Sequence, residues 1–199
     1  KINNSLIDKV EHKTKTHLFF AWANEIIFNN KILDSVEKIL GPNFICWNSL
    51  IFHKYPKSNT FVSMHQDQNY WKIIHDKALS IQIAISESNK ENGCLKLLPG
   101  SHQKNMMHHD YIQKNNLLAR GQSVSNADFN EQELIDIELK PGNACMFHGN
   151  ILHGSKPNTS NNHRFLFTIR YLTTDNKIDT KYYYNYGTLV RGSDDYNFF

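Results

Sequence analysis

The chain has no apolar run approaching the roughly 20 residues that a membrane helix needs, which speaks against a helical membrane span. Cysteine is scarce: Cys46, Cys94 and Cys145 are odd in number and far apart. Such a set argues against a disulfide framework, and without a CxxC pair a zinc ribbon is not expected either. Each cysteine is expected as a small buried apolar residue in a reducing compartment. A strong charge of one sign is also missing. The formal net charge is +3, and the Lys and Arg residues are scattered, so no nucleic-acid surface is expected. There is no internal repeat, low-complexity tract or convincing linker. The chain begins at Lys1 rather than Met, with no signal-peptide pattern. These absences leave a cytoplasmic protein that acts on small molecules, with neither nucleic acid nor membrane as partner and its oligomeric state open.

What is present is ordinary globular composition, 40% hydrophobic and 21% charged over 199 residues, which suits one domain across 1–199. The first 40 residues read as helical. In Lys31–Leu40 the apolar residues Ile32, Leu33, Val36, Ile39 and Leu40 form one helical stripe, with Asn30 placed to cap it and Gly41-Pro42 to stop it. His17–Phe28 is a second helical candidate. After Gly41 the chain turns to short segments rich in β-branched and aromatic residues: Phe44–Tyr55, Thr60–His65, Ala78–Ser86, Cys94–Leu98, Leu134–Leu139, Ala144–His148 and Phe165–Leu172. Pro, Gly and Asn clusters separate them. The expected fold is mainly β with flanking helices, a cupin-like jelly roll whose core covers about 41–172. Between strands lies a polar insert, His102–Gln132, too long for an ordinary connection and expected as a partly ordered lid.

Chemistry concentrates in Met64-His65-Gln66-Asp67. At the end of a strand, side chains two apart share a face, so His65 and Asp67 bring an imidazole and a carboxylate together. A third ligand must come from elsewhere. His153 is the best candidate, because it follows a predicted strand and Gly154 beside it allows close backbone approach. Two imidazoles and one carboxylate on one face of a metal leave the other face open, as in non-haem Fe(II) oxygenases. A lone H-x-D pair is weak evidence, and the chain carries a second one in His108-His109-Asp110, inside the insert. His148 competes with His153, and is read as a core or supporting histidine. His53, His75, His102 and His163 are read as surface or locally bonded.

Several segments together resemble the phytanoyl-CoA dioxygenase family. Met64 to Trp71 resembles its H-Q-D motif. Glu91-Asn92-Gly93-Cys94-Leu95, then Leu98-Pro99-Gly100-Ser101-His102, is similar to its E-N-G-x-L and P-G-S-H signatures. Lys140-Pro141-Gly142 resembles its P-G turn, and His153-Gly154-Ser155 with Pro157-Asn158 and Arg164 resembles its distal motif. The resemblance implies a double-stranded β-helix binding Fe(II) at His65, Asp67 and His153, with 2-oxoglutarate as cosubstrate and O2 as oxidant. It also implies that Arg164 receives the far carboxylate of 2-oxoglutarate as a bidentate guanidinium, with Ser155 donating to the same carboxylate and Asn48 a weaker candidate.

The chain departs from the family at Gln82, where Trp is common, and its N-terminal part is short. Halogenases resemble it around Asn116–Gln122 and Thr188–Gly192 but replace the motif carboxylate with a small residue; this chain keeps Asp67. Relatives that oxidise small phosphonates such as 2-aminoethylphosphonate keep the carboxylate. The expected activity is therefore hydroxylation of a small anionic or zwitterionic metabolite, with release of succinate and CO2. Tyr70, Trp71, Gln82, Arg170 and Arg191 are the candidate substrate contacts. Two other readings stay open: a cupin-like metal-binding or sensor protein without oxygenase turnover, and a metal-independent sugar-binding jelly roll.

Overall fold

Helix α1 (Thr16–Phe19) and helix α2 (Ala21–Ile27) replace the single helix expected over His17–Phe28. The break is at Phe20, whose backbone is extended. Helix α3 (Asn30–Leu40) follows, capped by Asn29 rather than Asn30: the Asn29 side chain accepts the Lys31 N–H at 3.0 Å. Leu33 and Val36 on its stripe are buried, whereas Ile39 points outward. The computed structural model describes residues 14–71, 73, 75, 77–104, 106, 108–118, 121–177 and 187–199; the helical expectation for 1–13 lies outside them.

Eleven described strands follow. Five of them, β1 (Phe44–Lys54), β3 (Ala78–Ala84), β8 (Ala144–His148), β10 (Arg164–Thr173) and β11 (Thr188–Arg191), form an antiparallel sheet in the order β11-β1-β10-β3-β8. The facing sheet runs β2-β9-β4-β7, from β2 (Val62–His65), β9 (His153–Ser155), β4 (Leu95–Leu97) and β7 (Ile135–Ile137). The fold is a jelly roll.

Strand β10 shows why the two faces of the larger sheet differ. Phe167, Ile169 and Tyr171 alternate onto the outer face, where they pack with Phe44, Cys46, Leu79 and Ile81 against Ala23, Ile27, Leu33 and Val36 of the helices. Each fully buried side chain of this size contributes roughly 1.5–3 kcal/mol. Arg164, Leu166, Thr168 and Arg170 take the opposite face and line a cavity between the sheets. The apolar residues beside Arg164 thus mark the helix-covered face, and the cavity face is the polar one.

The insert is largely ordered. It contains a hairpin of β5 (His108–Asp110) and β6 (Gln122–Val124) and short 3-10 turns at Ser101–Gln103, Asn126–Asp128 and Glu131–Glu133. It lies along β2, where Leu117 N–H donates to Phe61 O at 2.8 Å and Asn116 Nδ2 donates to Ser63 Oγ at 2.9 Å. Among the described residues no helix is long and apolar enough to cross a membrane. The three cysteines are unbonded, with Cys46 and Cys94 buried.

Candidate metal centre and its cavity

His65 ends β2, His153 begins β9, and the antiparallel register sets them directly opposite each other, with ring centroids 4.2 Å apart. The strands can approach this closely because Gly154 has no side chain. A Cβ there would lie 2.7 Å from Met64 Sδ and 2.8 Å from Val62 O. Asp67, two residues past His65, turns to the same side. The ligand-type atoms of His65, Asp67 and His153 all lie within 4.8 Å of one another, and all three residues are buried.

Both imidazoles are oriented by the backbone. His65 Nδ1 lies 2.9 Å from Ser63 O and His153 Nδ1 lies 2.9 Å from Ile151 O. A carbonyl only accepts, so each Nδ1 carries the proton and donates, and in the neutral ring Nε2 is left as a lone pair. His65 Nε2 is 3.3 Å from Asp67 Oδ1, and His153 Nε2 is 3.9 Å from Asp67 Oδ2. Burial first, then the neighbouring His65, pulls His153 down to about 4, so it is neutral at ordinary pH. Two lone pairs and a carboxylate that converge within 4.8 Å repel one another, and a cation at their centre would resolve this. The donor set, one carboxylate and two Nε2 atoms on one side, fits an open-faced Fe(II) site rather than a closed structural zinc site.

Asp67 is held from behind by the larger sheet. Arg170 Nη2 donates to both carboxylate oxygens at 3.0 and 3.2 Å, and Ser80 Oγ lies 3.4 Å from Oδ2. Arg170 and Ser80 are cross-strand partners in the β10–β3 ladder, and the guanidinium rests on Trp71, 4.9 Å from its ring. Burial alone would raise the Asp67 carboxyl, but the Arg170 guanidinium beside it outweighs burial and holds the group well below the usual carboxylate range.

At the other end of the cavity the register pairs Lys54 of β1 with Arg164 of β10. Both are buried, at 0% and 2% exposure, and no carboxylate among the described residues pairs with either. Lys54 Nζ donates to Ser155 Oγ at 2.7 Å, to Gly93 O at 3.4 Å and to Lys156 O. Gly93, at φ +75°, leaves room for this: a Cβ would stand 2.9 Å from Lys54 Nζ and 2.2 Å from Lys156 O. Burial, and then the neighbouring Arg164, lowers Lys54 to about 6, while burial lowers Arg164 to about 10. Arg164 Nε has no partner. A buried guanidinium with no carboxylate beside it among the described residues, next to an amine whose charge an anion would restore, leaves a place for an anion.

Between these ends, Gln82 and Thr168 face each other across the β3–β10 ladder and line the cavity. Gln82 Oε1 and Thr168 Oγ1 are both buried without a hydrogen-bond partner. Phe52, Val62, Leu95, Phe147 and Leu166 supply the apolar wall.

The structure therefore brings together His65, Asp67, His153, Ser155, Arg164, Gln82 and Arg170 from the sequence-predicted set. Asn48, Tyr70, Trp71 and Arg191 are not among the cavity-lining residues. Asn48 Oδ1 accepts the Lys15 N–H at 3.0 Å. Tyr70 OH pairs with His108 Nδ1 at 3.1 Å, and Trp71 packs between Trp47 and Arg170. Arg191 lies in ion pairs with Asp34 and Glu37 of α3. His148 is likewise outside the cavity, its Nδ1 accepting the Asn150 N–H at 3.1 Å. Lys54, Ser80 and Thr168 are residues that sequence reasoning missed.

A family model described as phytanoyl-CoA dioxygenase matches residues 3–166. The chain belongs to the phytanoyl-CoA dioxygenase family. It is 30% identical over 173 residues to a probable alpha-ketoglutarate-dependent hypophosphite dioxygenase of Stutzerimonas stutzeri, covering 85% of this chain and 58% of that protein. It is 26% identical over 157 residues to the peroxisomal phytanoyl-CoA dioxygenase of Homo sapiens, covering 76% of this chain and 46% of that one. The chain thus spans about half the length of these relatives. Among solved structures, the non-heme monooxygenase ThoJ in its apo form superposes with a TM-score of 0.78 at 28% identity, over 91% of this chain and 65% of that one. CytC3 with Fe(II) and alpha-ketoglutarate gives 0.65 at 25% identity, over 93% and 70%.

Proposed function

We propose that this chain carries the active site of an Fe(II)- and 2-oxoglutarate-dependent dioxygenase that hydroxylates a small, anionic or zwitterionic metabolite. The observation that carries the reading is the pairing of two features in one cavity. One end presents three convergent metal-ligand atoms, and the other presents Arg164, with Lys54 behind Ser155, and no carboxylate among the described residues pairs with either. A protein that only held a metal would have no use for the second feature, which disfavours a sensor without turnover. An oxoacid dianion serves both ends.

When bound, Fe(II) and 2-oxoglutarate supply the oxidising chemistry: O2 is consumed, the oxoacid becomes succinate and CO2, and one oxygen atom passes to a C–H bond of the substrate. The chain's own residues do the rest. His65 and His153 offer Nε2 to the metal, and Asp67 offers its carboxylate. Since each Nδ1 is committed to a carbonyl, neither histidine is free to shuttle protons. Arg170 and Ser80 keep Asp67 ionised and aimed. Arg164, Lys54 and Ser155 receive the far carboxylate, and the carboxamide and hydroxyl of Gln82 and Thr168 meet the ligand between the two ends. The apolar wall keeps water from the reacting centre.

The substrate class rests on one support, the hypophosphite dioxygenase relative, which is named for a small anion. Arg170 and Arg191 are both engaged with carboxylates, so the anionic group of a substrate must be read by other parts of the protein. Succinate release with Fe(II), 2-oxoglutarate, O2 and a panel of phosphonates, amino acids and short acids tests the reading. Turnover with one panel member, abolished by Asp67→Ala, is the expected result. Failure of 2-oxoglutarate to bind the Fe(II)-loaded chain at millimolar concentration overturns it.

A further inference from the structure

The ladder between β2 and β9 stops at the His65–His153 pair. Nothing in the sheet therefore fixes where the chain goes next, although the Asp67 carboxylate must arrive 3.3 Å from His65 Nε2 and 3.9 Å from His153 Nε2. The residue in between, Gln66, is turned away from the cavity by the strand's alternation and is 1% exposed. Its carboxamide is saturated. Its two Nε2 N–H groups point among three carbonyls, Asn150 O at 2.6 Å, Lys104 O at 2.8 Å and, as the longest and shared contact, Ser101 O at 3.2 Å. Oε1 accepts the Met106 N–H at 3.2 Å and lies 3.3 Å from His108 Nε2.

These partners belong to the two segments on which the rest of the site depends. Asn150 is in the turn that leads into His153. One residue beyond Asp67, Gln68 N–H donates to Gly149 O at 3.1 Å, so the same turn holds the chain on both sides of the carboxylate. Ser101 carries the link further: its Oγ donates to Leu98 O at 2.7 Å and accepts the N–H of Leu152, the residue before His153, at 2.8 Å. Ser101, Lys104 and Met106 lie at the entry to the insert, and His108 is tied to Gln66 and, through Nδ1, to Tyr70 OH at 3.1 Å. The second H-H-D run of the sequence thus contributes His108 to this network.

We propose that Gln66 is a positioning residue: its carboxamide sets the separation of Asp67 from the two imidazoles and, through the same hydrogen bonds, couples occupancy of the metal site to docking of the insert entry at Ser101, Lys104, Met106 and His108. This inference rests on the metal-site reading. Replacing Gln66 by an apolar side chain of similar length removes its bonds to Lys104 O, Asn150 O and the Met106 N–H, which tie the two segments together, so both segments loosen together. Coupling of this kind is reciprocal: whatever factor the metal adds to docking of the insert entry, docking adds to metal affinity.

The test uses Mn(II) as an Fe(II) stand-in under otherwise identical conditions, with Mn(II) affinity and amide hydrogen exchange over 101–110 as paired readouts. The wild-type titration alone examines the metal-site reading; if it shows no binding, that reading fails and not this one. Given wild-type binding, Gln66→Met is expected to weaken Mn(II) about tenfold, the scale of lost supporting hydrogen bonds around a metal ligand. It should also remove the metal-dependent slowing of exchange in 101–110, whereas Gln66→Glu, which keeps the acceptor but not the N–H donors, should fail to restore either. Should Gln66→Met not fold, His108→Phe carries the test. It leaves the amide's carbonyl bonds in place, and it is expected to reduce Mn(II) affinity and metal-dependent protection by matching factors. Wild-type behaviour of these variants in both readouts, or a change in one readout without the other, overturns the proposal.

Discussion

Lys54 and Arg164 are cross-strand partners, Arg164 lining the inner end of the cavity and Lys54 bonded to Ser155 beside it, and both lie buried with no acidic residue among the described ones to balance them. In the ligand-free chain Lys54 loses its proton as pH rises through about 6, whereas in the unfolded chain it keeps it to its ordinary value of 10.5. The unfolded state therefore binds more protons across that window, and this group makes ligand-free stability rise with pH from about 6 upward. An anion placed beside Lys54 restores its charge.

Binding of 2-oxoglutarate at neutral pH is accordingly expected to take up close to one proton. Calorimetry in buffers of different ionisation enthalpy measures it. Lys54→Met should abolish the uptake and weaken the oxoacid by about 10- to 100-fold, the range for losing a hydrogen bond to a charged group, while metal affinity stays near wild type. Uptake that persists in Lys54→Met would assign the proton elsewhere.

Arg170→Leu removes the guanidinium that keeps Asp67 ionised. Metal affinity is expected to fall by about 10- to 100-fold, and the fall should steepen at acid pH as the Asp67 carboxyl returns toward its usual range. Mn(II) titrations at two pH values check this. An affinity equal to wild type at both would show that Asp67 needs no support from β10.

Much of this arrangement was legible in the sequence, because it follows from strand periodicity. His65 and Asp67 share a face, and the strands expected over Phe44–Tyr55, Ala78–Ser86 and Ala144–His148 appear within a residue or two of their predicted limits. What escaped was set by pairing across the barrel. Lys54 stands next to Tyr55-Pro56 and has the look of a surface lysine at a strand end; only the register with Arg164 shows that it points inward. Arg170 was expected as a substrate contact, and the separation of 103 residues hides its bond to Asp67. Strand β9 was not anticipated because His153-Gly154-Ser155 has no β-branched or aromatic residue to signal it. The single helix expected over His17–Phe28 failed at Phe20 because nothing in its composition marks the extended backbone there.

Thr168→Val exchanges a buried, partnerless hydroxyl for a methyl of the same shape. The ligand-free protein is expected to gain about 1 kcal/mol of stability, read as a rise in Tm, while 2-oxoglutarate binding weakens. Opposite signs in the two measurements are the mark of a polar group kept for a ligand; a variant that loses stability would place the hydroxyl in a bond of the free protein.

Acid should unfold the metal-free chain early. His153 and His17 are both lowered by burial from 6.5 to about 4, so the unfolded state binds more protons between those values, and their contributions to stability are lost as pH falls through that interval. His153→Gln is expected to flatten the pH dependence of Tm between about 6.5 and 4. An unchanged slope would remove His153 from this account.

The central claim is that three side chains hold a metal whose open face, together with Lys54 and Arg164, receives an oxoacid. Anaerobic calorimetric titration of 2-oxoglutarate into the chain, with and without Fe(II), tests it most directly. The account predicts binding that requires the metal and is lost in both Asp67→Ala and Arg164→Leu. Binding of equal strength without metal, or none with it, would contradict it.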